Sequence, residues 1–104
     1  MSNQPISEEY RIVAKQWVDA EAAASMLEDT KSAVLSQMML KLGDMPVSKA
    51  EMQVKASDEW GDFIHKMVEA RKKANLLKVQ LEYIRMRSSE WQSMEASKRA
   101  EMRM

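Results

Sequence analysis

Apolar and small residues recur in alternating steps of four and three through Ile6, Tyr10, Val13, Trp17, Ala20, Ala24, Leu27, Lys31, Val34 and Met38. The spacing restarts at Ala56 and continues through Trp60, Phe63, Met67, Ala70, Ala74, Leu77, Leu81, Ile84, Ser88 and Trp91. An average step of three and a half residues keeps one narrow stripe on one side of a helix, and two such stripes pack against each other as a coiled-coil seam. The spacing therefore predicts an all-α chain of two long helices, paired along Trp17, Ala20, Ala24 and Leu27 from the first and Trp60, Phe63, Met67, Ala70, Ala74, Leu77 and Leu81 from the second.

Punctuation sets the expected limits. Ser7 before Glu8 and Glu9 reads as an N-cap with two acids at the positive end of the helix dipole. Gly43 suits the left-handed position just past a helix, and Pro46 cannot continue one. Ser48 and Glu51 stand at capping-box spacing. The expectation is a single domain over residues 1–104, with a helix at 7–42, a turn at 43–48 and a helix at 49–100. Folding back about that turn pairs residues whose numbers sum to about 91. Residues 85–104 then overhang by about 30 Å at 1.5 Å per residue.

The overhang carries Trp91 and Met94, which are poorly suited to water. A two-helix hairpin also buries only one face of each helix. Oligomerisation into a helical bundle is expected, with Tyr83, Arg87, Trp91 and Met94 as a surface for a protein partner. Alanines at successive seam positions should let the helix backbones approach closely at mid-length.

Charge is divided along the chain. The formal net charge is zero, but residues 1–44 hold four basic and seven acidic side chains, and residues 45–104 hold twelve and nine. Opposite signs favour antiparallel pairing of the halves. Lys66, Arg71, Lys72, Lys73, Lys78, Arg85 and Arg87 read together as a basic stretch. Such a stretch either complements the acidic half or tracks a phosphate backbone, weakly, without sequence preference and with strong salt dependence. Trp60, Trp91 and Tyr83 offer stacking surfaces to single strands, although Trp60 and Trp91 also lie on the seam.

Signatures of catalysis are missing. The chain has no cysteine and only two glycines, so a thiolate nucleophile, a disulfide and a glycine-rich phosphate loop are all excluded. Asp62, the single histidine His65, and Glu69 stand at helical spacing, but helix one supplies no matching ligands and the group reads as a solvated face. The expectation is a non-enzymatic protein with no cofactor and no metal. No apolar run reaches the roughly 18 residues of a membrane span, and Met1 to Pro5 lack a basic region followed by an apolar run. A cytoplasmic location follows as the expectation.

The segments Tyr83-Ile84-Arg85-Met86-Arg87, Ser89-Glu90-Trp91-Gln92-Ser93 and Ala96-Ser97-Lys98-Arg99-Ala100-Glu101-Met102 resemble the end of a group of small helical proteins encoded by tailed phages and prophages. A tyrosine, an arginine pair, a tryptophan and an Arg-Ala-Glu-Met ending recur in that group. The resemblance implies an accessory role in phage DNA recombination or replication, through contact with an annealing protein, a nuclease or single-stranded DNA, in the cytoplasm of the host. In size and helical character the chain is also similar to the small secreted WXG proteins. Their Trp-x-Gly motif occupies the turn, whereas Trp60-Gly61-Asp62 has no intervening residue and falls inside the expected second helix.

Overall fold

A computed structural model describes residues 5–103. The N-terminal four residues, on which part of the expected lack of a leader rests, lie outside the described residues, as does Met104. The described chain is all-helical, with α1 at Ile6–Lys41, α2 at Val47–Lys55 and α3 at Asp58–Arg103, and no strand. It forms a rod of 84 × 21 × 19 Å with a radius of gyration of 23.2 Å, against about 13 Å for a compact domain of this length.

α1 and α3 lie antiparallel. Arg71 meets Glu21 and Glu28, Arg85 meets Tyr10, and Arg87 meets Glu9, so the partner's number falls as that of α3 rises. The expected stripes face inward. Val13, Ala20 and Ala24 of α1 are buried against Ala74, Leu81 and Ile84 of α3, with Trp17, Ala70 and Leu77 packed alongside. Ala24 and Ala74 are completely covered. Small side chains at facing positions let helix backbones approach, and here the alanines fall at mid-length with large residues such as Val13, Leu81 and Ile84 toward one end.

The second helix is not continuous. The expected helix at 49–100 is divided into α2 and α3 by a break at Ala56 and Ser57. Ser57 Oγ donates to the Val54 carbonyl and accepts from the Trp60 amide at 3.2 Å, so its hydroxyl caps α3 from the break itself. Local bonding of this kind interrupts a helix without proline or glycine. Asp58 and Glu59 follow in the first turn of α3. Ala50, Val54 and Trp60 bury their side chains at this end of the rod, and Trp60 stacks on Phe63 with centroids 5.7 Å apart. Trp60-Gly61 thus stands in the first turn of α3, beside the break, and not deep within a helix.

Two expected caps differ as well. Pro5 precedes α1 and Pro46 precedes α2, each without a side-chain cap bond, so Ser7 and Ser48 lie inside their helices. Proline fixes its own φ near the helical value and restricts the residue before it, so here it marks a helix start without a hydroxyl. Gly43, by contrast, takes φ +83° just past α1, the left-handed geometry expected of it.

Because reversal takes up residues 42–57, the register moves. The contacting pairs have numbers summing to between 92 and 99, roughly one helical turn beyond the expected 91. Ile6 and Ser7 consequently reach Ser88, Ser89 and Gln92. The overhang is residues 93–103, about 16 Å at 1.5 Å per residue, and not residues 85–104.

Candidate interaction surfaces

Of the residues expected to form a tail surface, Tyr83 and Arg87 lie alongside α1, not beyond it. Arg87 donates to both carboxylate oxygens of Glu9, at 3.4 and 3.3 Å, and its guanidinium sits 5.7 Å from the Tyr83 ring centroid. Trp91 stands where α1 begins and is 57% exposed, and Met94 follows it at 61%. The four therefore form one broad face that starts on the hairpin and continues onto the overhang. On the opposite flank of the seam, between the start of α1 and α3, runs an open cleft walled by Ile6, Tyr10, Ile84 and Arg85.

The basic residues of α3 do not form one track. Arg71, Lys78 and Arg85 are seven residues apart and share one flank of the seam, while Lys66 and Lys73 share the other, next to Asp19 and Gln16 of α1. Lys72 lies between them on the outer side.

Three of the arginines are held by α1. Arg71 grips Glu28 through two parallel bonds of 2.8 and 2.7 Å and reaches Glu21 at 2.6 Å. The two carboxylates stand two turns apart, so a single guanidinium braces a length of α1. Its hydrogen bond holds the Glu28 carboxyl below the usual carboxylate range, and the Arg71 charge is itself stabilised. Arg85 donates to the Tyr10 hydroxyl at 3.1 Å. Lys66, Lys72, Lys73 and Lys78 are exposed, and none forms an ion pair among the described residues. Part of the basic excess thus complements the acidic half, and the remaining lysines are spread over three faces.

Neither a protein-family model, nor a curated protein, nor a solved structure matches the chain. Its geometry must therefore speak for itself. Among the described residues, no three of histidine, aspartate or glutamate converge as a metal-binding group. The grooves along the rod are open, aliphatic beside the turn at Met39, Leu40, Met45 and Val47, and mixed aliphatic and charged along α3. None of the described helices is long and apolar enough to cross a membrane.

One surface was absent from the sequence reading. Val68, Leu76, Val79, Tyr83, Met86 and Met94 of α3 are each between 52% and 61% exposed. Their separations of eight, three, four, three and eight residues place them on a single stripe, on the side of α3 turned away from α1. The signal was present in the spacing, but it was overshadowed by the longer and more regular seam.

Proposed function

We propose that this chain is a non-enzymatic interaction protein that assembles with copies of itself and holds a protein partner through the C-terminal end of α3. One observation carries the reading: α3 continues past the start of α1 with Trp91 and Met94 more than half exposed and Met102 at 85%. Large apolar side chains grouped at the end of a helix are costly in water and are well suited to anchoring a partner, and tryptophan leads among residues that dominate binding energy. The likeness of residues 83–102 to the phage and prophage group suggests where such a partner belongs, in the machinery of DNA recombination or replication. The scattering of the lysines over three faces favours protein contact over direct nucleic-acid contact, since a phosphate backbone is tracked by charges on one side.

Capture on the immobilised full chain tests this, with Trp91→Ala alongside and nuclease-treated extract of the producing cells as the source. A protein retained by the parent chain and at least about tenfold less by the variant is expected, as for a buried anchor. Equal retention by both would remove the tail from the proposal. Retention seen only from untreated extract, or lost at modest salt, would point to nucleic acid instead.

A further inference from the structure

We infer that the outer stripe of α3 is a self-complementary interface through which two copies pair antiparallel, about a two-fold axis at the level of Leu81. The inference deepens the self-assembly part of the proposed function by naming the surface and the orientation; it takes Tyr83 and Met94 into the dimer and leaves Trp91 and Met102 to the partner of the tail.

The rod leaves much surface unburied. Its accessible area is 8319 Å², against about 6,000 Å² for a compact monomer of 12.0 kDa. Much of α3's share of the excess apolar surface lies on the outer stripe. Tyr83 and Met86 are exposed while their neighbours Leu81 and Ile84 are buried against α1, so α3 is apolar on two opposite sides. A helix of that kind is suited to lie between two others, and α1 covers only one side.

The register identifies the second occupant. When two α3 helices are laid antiparallel about residue 81, Val79 faces Tyr83 of the other copy, Leu76 faces Met86, and Val68 faces Met94. Every pair joins a branched aliphatic residue to an aromatic or thioether one, and a two-fold axis makes each pair twice. The single stripe positions occupied by charges in this span are Lys72 and Glu90, and the same register sets them opposite each other. Parallel in-register pairing would instead oppose Lys72 to Lys72 and Glu90 to Glu90, where like charges repel. The match extends over residues 68–94, about 39 Å of helix, long enough for twelve apolar side chains to close over one another. Symmetric pairing through one patch used twice is the usual form of a dimer interface.

Because the natural chain contains no cysteine, single cysteines report orientation in the full-length protein. Leu76→Cys and Met86→Cys are each placed on the stripe, outside the α1 contact, with circular dichroism to check that each keeps the helicity of the parent. Antiparallel pairing predicts a disulfide-linked species on oxidising the two variants together and little on oxidising either alone, with the parent chain near twice 12.0 kDa by light scattering. Lys72→Glu and Glu90→Lys should each weaken dimerisation by at least about tenfold, and the double exchange should restore it. Monomeric mass at high protein concentration would overturn the inference and leave the stripe to a foreign partner. A dimer that links each variant to itself, or links neither combination, would overturn it equally by assigning another orientation or another surface.

Discussion

Ala24 and Ala74 carry the close contact of the hairpin on two methyl groups with no exposed surface. Either residue changed to leucine inserts three carbons into a contact with no free surface, and overpacking of this kind costs about 1–3 kcal/mol. A lowered melting temperature is expected for Ala74→Leu, with Met26→Ala, exposed on α1 and off both packed faces, as a control that leaves it nearly unchanged. Arg71 acts at the same scale by charge. Since its hydrogen bond depresses the folded-state pKa of Glu28, that contribution is present above the ordinary carboxylate pKa and is lost as the pH falls through the depressed value. Thermal melts of the parent chain should therefore decline on acidification below about pH 4.3, and Glu28→Gln should flatten the decline while melting lower at neutral pH. The covered alanines were legible in the sequence because a seam repeat positions each residue by count alone. The clamp from Arg71 to Glu21 and Glu28 was legible only as a difference in charge between halves, since which carboxylate an arginine meets depends on a register that the turn sets.

At the level of elements, α1 was read nearly to its ends, and Gly43 took the backbone geometry assigned to it. The second half was read as one helix because no proline or glycine marks Ala56 and Ser57. Ser57-Asp58-Glu59 nevertheless repeats the hydroxyl-acid-acid order of Ser7-Glu8-Glu9. Of these two similar signals, the one after Pro5 caps nothing and the one without a proline forms the cap. A residue with its φ already fixed starts a helix unaided, whereas the chain at Ser57 depends on its hydroxyl. Ser57→Ala should accordingly destabilise the protein by about 1 kcal/mol, with helix content in circular dichroism unchanged or slightly higher as α2 and α3 fuse. Ser48→Ala, on the same reasoning, should have little effect.

For the molecule as a whole, the position of the reversal decides what is free. With residues 42–57 taken up in turning back, α3 overhangs from residue 93, and Tyr83 and Arg87 belong to the body of the rod. A chain ending at Ile84 would lose the contacts of Arg85 and Arg87 with α1 and would confuse folding with assembly. Ending it after Gln92 keeps the contacts with α1 and removes the overhang, including Met94, the outermost residue of the stripe, whose inner pairs remain. The melting temperature of that shorter chain is expected to stay within a few degrees of the parent, and its solution mass per assembly should keep the same number of copies. The rod is also unequal along its length. The middle is closed by alanines, which have no rotamers to lose on packing, whereas the ends carry large, flexible methionines, half-buried at 38, 39 and 45 and exposed at 86, 94 and 102. Amide exchange should then be slowest around residues 20–24 and 70–77, intermediate beside α2, and fastest beyond residue 93, with protection falling outward in steps as cooperative segments open. A rod that opens from its extremities while its waist stays shut can remodel either end to suit a visitor without unfolding.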